Sequence, residues 1–219
     1  MLSRVICLFI GYACGLFLSG FIIGKFNHVD VTKKGSGNVG STNTLRTVSV
    51  GAGFLTLVLD VFKALMATFF VWFIFHNKTI DNIHILELYA CFGAVLGHDF
   101  PFYMKFKGGK GIATSFGLMI AIFPQTIPIC AIVFFVTVFI SRYVSLASIL
   151  SAIVFPIQVI VFCQMGWIAF SATDYIEASV ISVMVAILAV VLHHANIYRL
   201  LHGIENKFTF HSKDAAQAS

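Results

Sequence analysis

Apolar runs long enough to cross a lipid bilayer recur along almost the whole chain, and this feature most limits what it can fold into. Only 11% of the 219 residues are charged, which is too few to cover the surface of a soluble domain of this size. A transmembrane helix needs about 20 consecutive apolar residues. The sequence therefore predicts an all-α, polytopic membrane protein with a single domain over residues 1–219.

Polar stretches separate the apolar runs and mark the predicted helix ends. The runs cover residues 5–24, 50–75, 83–97, 112–140, 146–166 and 176–192. As one helix, the run 112–140 would measure about 43 Å, against a hydrocarbon core of about 30 Å. Pro124 and Pro128 lie near its middle, and proline breaks or kinks a helix. We therefore predict two short helices joined by a tight turn there, and seven transmembrane helices in all.

The distribution of positive charge predicts the orientation of these helices. With seven spans and the N-terminus outside, the polar stretches 25–49, 98–111 and 193–219 all face one side. That side carries eleven of the 14 Lys and Arg residues, the other side carries two, and Lys63 lies within a span. Positive residues collect on the cytoplasmic side of membrane proteins. We therefore predict a cytoplasmic C-terminus, with a disordered tail over 208–219. We attribute the net charge of +5 to topology rather than to nucleic-acid binding.

Two of the polar stretches are rich in glycine and carry donors suited to phosphate. Residues 35–40 fit the Gly-x-Gly-x-x-Gly pattern, but they lie between membrane spans rather than after a strand, as a dinucleotide site requires. Residues 107–111 lack the Ser or Thr that follows Gly-Lys in a nucleotide P-loop. Glycines nevertheless let backbone N–H groups converge on an anion. Further donors are Ser36, Asn38, Thr42 and Asn43, with positive charge from Arg46 and Lys110. The alternative is a pair of cytoplasmic loops whose lysines only set topology.

Polar residues also occur within the spans and at the end of the last one. Asp60 and Lys63 lie three residues apart, so they share a helix face and can neutralise each other in the bilayer. This spacing favours structural support over a direct role in a site. His193, Asn196 and Arg199 recur at three-residue spacing where the last run meets water, which predicts one polar helical face. A histidine there could donate a hydrogen bond or carry a proton, and the alternative is an ordinary polar helix end. We expect no metal site.

Three segments together resemble a known family. They are GSGNVGSTN at 35–43 with Arg46, GHDFPFYMKFKGGKGIAT at 97–114, and HHANIYRLLHGIE at 193–205. In order and spacing they are similar to the signatures of the bacterial integral-membrane glycerol-3-phosphate acyltransferases that use acyl phosphate as donor. The resemblance implies transfer of a fatty acyl group to the 1-hydroxyl of glycerol 3-phosphate, giving lysophosphatidic acid and phosphate without a cofactor. It also implies the bacterial inner membrane, an active site on the cytoplasmic face, and a separate enzyme that supplies acyl phosphate.

The resemblance also assigns roles to individual residues. The implied catalytic residues are Ser36, Arg46, Lys110, His193 and Asn196. The residues predicted to bind substrate are Gly37, Asn38, Gly40, Thr42, Asn43, His98, Lys107, Gly108 and Gly109. Structural support is predicted for Asp60, Lys63 and Glu205.

Several questions stay open at this point. The sequence does not decide which phosphate each basic residue holds, or whether Ser36 acts as a covalent nucleophile. The rival function is a transporter or channel for a phosphorylated solute, but transporters usually bind substrate near the bilayer midplane between internal repeats. The sequence shows no internal repeat, and its basic residues cluster on one predicted face.

Overall fold

In the computed structural model, which describes residues 1–77, 82–168 and 170–208, every regular element is helical. The helices are α1 Leu2–Gly15, α2 Ser19–Phe26, α3 Ser41–Thr47, α4 Val50–Phe75, α5 Ile83–Asp99, α6 Ile112–Ile122, α7 Ile127–Ser141, α8 Val144–Gln164, α9 Ala172–Leu192 and α10 His194–Leu201. Two 3₁₀ turns cover Phe102–Met104 and Pro124–Thr126. The predicted all-α class is confirmed. The predicted disordered tail lies outside the described residues from 209 onwards, as does Lys78, one of the two basic residues predicted on the outer face.

Five helical segments among the described residues are long and apolar enough to cross a bilayer. They are Leu2–Phe26, Val50–Phe75, Pro124–Ser141, Val144–Gln164 and Ala172–Leu192. Helices α5 and α6 have 17 and 11 residues, which is shorter than the usual span of about 20. The count of seven spans therefore stays a prediction.

The hairpin predicted within residues 112–140 is confirmed. Helix α6 ends at Ile122, a 3₁₀ turn follows, and α7 begins at Ile127. The hydroxyl of Thr126 donates to the carbonyl of Phe123 at 2.7 Å and closes the turn. Pro128 lies in the first turn of α7, where a missing N–H costs nothing because that N–H would have no helical partner.

The first apolar run, predicted as one span over 5–24, lies within the single candidate span Leu2–Phe26, but its helix is interrupted. Helix α1 ends at Gly15, and α2 begins four residues later at Ser19. The carbonyls at the break find partners on other elements. The hydroxyl of Tyr103 donates to Leu16 O at 2.5 Å, and Lys63 Nζ donates to Phe17 O at 3.0 Å. Backbone groups within a membrane must be satisfied by protein, so these contacts allow the break.

Helices α1 and α5 pack backbone to backbone through small residues. Gly11 and Gly15 on α1 face Gly93 and Gly97 on α5, and each pair has the Gly-x-x-x-Gly spacing that permits close helix packing in membranes. A Cβ atom added at Gly11 would lie 1.8 Å from a carbonyl oxygen of α5. This contact fixes the end of α5, and with it the start of the second glycine-rich loop.

Helix α5 is the central helix and is buried along most of its length. It packs against α1, α4, α6 and α9, whereas α7 packs mainly against α8 at the periphery. A cavity lies between α4, α6, α7, α8 and α9, at the end where α4, α6 and α8 begin and α7 and α9 finish. The three polar stretches of the sequence meet at this end.

Candidate active site

A cavity of about 590 Å³ joins the three polar stretches. This volume is typical of a site for one small-molecule ligand. Most of the predicted site residues line it: Ser36, Asn38, Gly40, Thr42, Asn43, Arg46, Asp60, His98, Lys110, His193, Asn196 and Glu205. The predicted residues that do not reach its wall are Gly37, Lys63, Lys107, Gly108 and Gly109.

Asn43 holds the first glycine-rich loop together. Its Nδ2 donates to the carbonyls of Val31 at 2.9 Å and Lys34 at 3.1 Å. The same nitrogen lies 2.9 Å from Asn38 O, and its Oδ1 accepts the Ser36 N–H at 2.8 Å. The side chain is 3% exposed, and both of its N–H groups are engaged. The structure thus gives Asn43, predicted to bind substrate, the task of fixing the loop.

The loop fixed in this way presents two free polar groups to the cavity. Ser36 and Arg46 are both exposed and both line the wall. Within the described ranges, neither the Ser36 hydroxyl nor the Arg46 guanidinium makes a hydrogen bond or an ion pair. Both groups are therefore available to an anionic ligand.

The second glycine-rich loop folds back onto the end of α5. The N–H of Gly108 donates to Asp99 O at 3.0 Å, and the N–H of Gly109 donates to His98 O at 2.9 Å. A Cβ atom at Gly109 would lie 1.8 Å from His98 Nε2, so the close approach requires glycine. In this structure the two N–H groups expected to bind phosphate are used by α5 instead.

The first turn of α6 supplies backbone donors that the sequence reasoning missed. Gly111 precedes the helix with φ 67°, a left-handed conformation that suits glycine. Ile112 and Ala113 follow it on the cavity wall, and the N–H groups of a helix N-terminus favour anions. The signal was the position of Lys110 and Gly111 directly before an apolar run.

Lys110 belongs to a hydrogen-bond network that connects the second and third polar stretches to α8. Its Nζ donates to Asn196 Oδ1, and Asn196 Nδ2 donates to Glu205 Oε1 at 2.7 Å. Arg199 Nε donates to Glu205 Oε2 at 2.6 Å, and the Ser145 hydroxyl donates to Glu205 Oε1 at 2.9 Å. Glu205 therefore ties α8 and α10 together. Ser145 was missed because it opens an apolar run without any polar pattern.

The network sets the charge of its members. Burial of the Lys110 ammonium and the nearby Arg199 charge lower the pKa of Lys110 to about 8, while Glu205 acts in the opposite direction. Burial opposes ionisation of Glu205, but hydrogen bonds from Asn196, Arg199 and Ser145 outweigh it and lower its pKa. At neutral pH Lys110 is mostly positive and Glu205 is negative.

His193 is held in one tautomer on the cavity wall. It follows the last residue of α9, and its Nδ1 lies 2.6 Å from Ala189 O. Nδ1 must carry the proton to make this bond, so Nε2 is a hydrogen-bond acceptor. Burial and the Lys110 charge lower the pKa of His193 to about 4, which keeps the imidazole neutral. The helix is interrupted at His193, between α9 and α10, whereas the sequence predicted one continuous helical face. His193 and Asn196 nevertheless both line the cavity.

A second polar cluster is buried beside the cavity, and two of its members, Asp60 and His98, line the wall. Lys63 Nζ lies 2.8 Å from Asp60 Oδ1 and 2.7 Å from His98 Nδ1. The Ser19 hydroxyl also donates to Asp60 Oδ1. The four residues are between 1% and 3% exposed. Asp60 and Lys63 are therefore paired as their spacing predicts, and His98, predicted to bind substrate, has its Nδ1 engaged by Lys63.

The sequence model of the glycerol-3-phosphate acyltransferase family matches residues 5–203, which is nearly the whole chain. The chain belongs to this family. The glycerol-3-phosphate acyltransferases of Staphylococcus aureus strains JH9 and Newman are each 39% identical to this family member over 206 residues. The matches cover 93% of this chain and 96% of each relative.

Two solved structures share the fold of this acyltransferase. They are crystal structures of PlsY (YgiH), an integral membrane glycerol 3-phosphate acyltransferase, in its glycerol 3-phosphate form and its lysophosphatidic acid form. Their TM-scores are 0.78 and 0.76, at 29% identity, covering 94% of this chain and 96% of theirs. This acyltransferase is therefore an all-α, multi-pass integral membrane protein.

Proposed function

We propose that this acyltransferase transfers a fatty acyl group from acyl phosphate to the 1-hydroxyl of glycerol 3-phosphate, giving lysophosphatidic acid and phosphate. The observation that carries the proposal is the cavity's two unlike ends. One end has Arg46, Lys110 and the first turn of α6, and the other is lined by apolar side chains of α4, α6, α7 and α8. Such a cavity suits phosphate groups at one end and an acyl chain at the other. The glycerol 3-phosphate and lysophosphatidic acid forms of the solved relative support the acceptor and the product.

Two cationic groups support a donor that also carries a phosphate. Arg46 has no ion pair among the described residues, and Lys110 donates to the neutral amide of Asn196. Each substrate in the proposed reaction brings one phosphate, so each can meet one of these cations. The resemblance of segments 35–46, 97–114 and 193–205 to acyl-phosphate-dependent enzymes supports the same donor.

The proposed chemistry needs no covalent intermediate on the protein. The glycerol hydroxyl attacks the acyl carbonyl carbon, the bond to phosphate breaks, and phosphate leaves with the electron pair. Neutral His193 orients the hydroxyl through Nε2, while Asn196 positions Lys110. The Lys110 ammonium has further N–H donors for the negative charge that develops on the carbonyl oxygen. The departing phosphate takes up the hydroxyl proton.

Ser36 as a covalent nucleophile is the competing mechanism. A serine nucleophile normally needs an adjacent base, and in the described residues no base accepts a hydrogen bond from the Ser36 hydroxyl. This favours Ser36 as a phosphate ligand. Isolation of an acyl-Ser36 species from the enzyme with acyl phosphate alone would overturn that assignment.

We also propose seven spans, with the N-terminus outside and the site on the cytoplasmic face of a bacterial inner membrane. Short helices α5 and α6 supply the spans beyond the five long segments. The excess of Lys and Arg on one predicted side supports this orientation. We propose separately that another enzyme supplies the acyl phosphate. In a cysteine-free background, Lys34→Cys should react with an impermeant thiol reagent in inside-out vesicles only. Reaction in right-side-out vesicles instead would reverse the topology.

The reaction is tested with purified protein, acyl phosphate and glycerol 3-phosphate, by measuring released phosphate and lysophosphatidic acid together. The controls omit glycerol 3-phosphate or replace acyl phosphate with acyl-CoA. We expect equal amounts of both products, and only when both substrates are present. Turnover with acyl-CoA but not with acyl phosphate would refute the proposed donor.

A further inference from the structure

We propose that the closed inner end of the cavity measures the acyl chain, and that Met119, Cys130 and Phe155 set the longest chain that the enzyme accepts. The inference rests on the proposed function and assigns the chain-length specificity of that site. These three residues line the cavity away from the helix ends that carry Arg46, Lys110 and Glu205. We call them the cavity floor.

The floor lies about half a bilayer core away from the polar end. Helix α8 begins at Val144 beside the Glu205 network, and Phe155 comes eleven residues later, about 16 Å along the helix. Helix α7 ends at Ser141, and Cys130 comes eleven residues earlier, again about 16 Å away. A hydrocarbon core is about 30 Å thick, so the cavity is as deep as one leaflet. An acyl chain that fills one leaflet therefore reaches the depth of Cys130 and Phe155.

The floor is closed and firmly backed. Phe155 is 3% exposed, and its ring lies 5.7 Å from that of fully buried Phe123, which in turn lies 6.1 Å from Phe170. Cys130 is 6% exposed, and its Sγ accepts a hydrogen bond from Gln158 Nε2 at 3.0 Å. Close-packed interiors resist local displacement, so a longer chain cannot push the floor aside.

The sides of the cavity are more open than its floor. Phe54 on α4 and Phe135 on α7 line the cavity, yet they are 65% and 68% exposed at the protein surface. An acyl chain can therefore enter from the bilayer between these helices. The open sides impose little selection on length, which leaves the floor as the element that does.

The test compares kcat/KM for a homologous series of straight-chain acyl phosphates. Cys130→Phe fills the floor, so the ratio of long-chain to short-chain kcat/KM should fall about tenfold, since one methylene in an apolar pocket is worth about 10- to 200-fold. Met119→Ala deepens the cavity and should move the optimum to longer chains. The matched control is Ile132→Phe, on the same helix but 62% exposed and outside the cavity, which should leave the ratio unchanged.

The outcomes separate the two proposals. An unchanged length profile in both floor variants, with the wild-type chain active, would show that long chains leave sideways into the bilayer and would overturn the floor proposal alone. An equal fall for every donor length in Cys130→Phe would do the same. No turnover by folded wild-type protein would overturn the proposed function itself.

Discussion

Two polar clusters lie beside the cavity, and they differ in how completely their charges are matched. The inner cluster consists of Ser19, Asp60, Lys63 and His98. In it, Lys63 contacts Asp60, His98 and the Phe17 carbonyl, all within 3.0 Å. Lys63 is 2% exposed. The outer cluster is the network of Lys110, Ser145, Asn196, Arg199 and Glu205. In it, Lys110 lines the cavity and donates to the neutral amide of Asn196.

The difference shows how similar side chains serve structure in one place and binding in another. A buried charge is tolerated when a partner compensates it, and the inner cluster satisfies this condition without a ligand. In the outer cluster, Arg199 already pairs with the carboxylate of Glu205. Lys110 and nearby Arg46 are left as a positive excess that an anionic substrate can match.

The largest expected effect is on stability, from breaking the inner cluster. Lys63→Met removes the lysine partner of Asp60 in the interior, which should cost about 3–5 kcal/mol of unfolding free energy. Unfolding of the purified protein in detergent measures the loss. The double variant Asp60→Leu, Lys63→Met removes both charges and should recover most of it. If the double variant is as unstable as Lys63→Met, the pairing is not what stabilises this region.

Removing the charge of the outer cluster should act on catalysis instead. Lys110→Met removes a donor to the phosphate and the developing oxyanion, so kcat/KM should fall by about 10²- to 10³-fold with little change in unfolding. The matched control is Lys105→Met, an exposed lysine in the same loop that does not line the cavity. Equal losses in both variants would mean that only general positive charge matters.

The same contrast predicts the pH dependence of the reaction. Because the pKa of Lys110 is lowered to about 8, kcat/KM should fall as pH rises above about 8 and Lys110 loses its proton. Because the pKa of His193 is lowered to about 4, the imidazole stays neutral down to about that pH and kcat/KM should not fall between pH 7 and pH 5. Initial rates at low substrate concentration test this, since kcat/KM reports the free enzyme. A decline centred near pH 6.5 that disappears in His193→Gln would show instead an unperturbed histidine, whereas a decline that remains would be the second ionisation of the substrate phosphate, whose pKa is about 6.

The smallest expected effect comes from Glu205→Gln. The carboxylate raises the pKa of Lys110, so its loss should move the alkaline decline in kcat/KM to lower pH. The amide that replaces the Glu205 carboxylate can still accept the hydrogen bond from Asn196, which should limit the loss of activity at neutral pH to a few-fold. An alkaline decline that does not move would indicate that Lys110 is not the group that titrates.

The sequence predicted those elements of the fold that depend on local chemistry. Run length and two prolines were enough to predict the α6–α7 hairpin. The break between α1 and α2 was not predicted, because the residues that mark it, Ser19 and Gly20, also occur within continuous transmembrane helices. Side chains distant in sequence, Tyr103 and Lys63, satisfy the freed carbonyls.

The candidate site was predicted better by residue type than by role. The sequence pattern selected Lys110, His193 and Asn196, which all line the cavity and whose roles stay predictions. It did not distinguish Asn43, which binds its own loop, from Ser36, which faces the cavity, because short polar side chains in glycine-rich loops suit either task. The partners of Glu205 were also hidden, since they depend on how the chain turns after α10.

The cavity draws its polar wall from residues as far apart in sequence as Ser36 and Glu205. A ribosome makes the chain from the N-terminal side, so the phosphate-binding end stays incomplete until residue 205 has been added. A nascent chain already inserted through its early helices holds the first loop but lacks the network that positions Lys110. A chain that stalls in the membrane before residue 193 therefore lacks both His193 and the network that positions Lys110, and we expect it not to consume substrate.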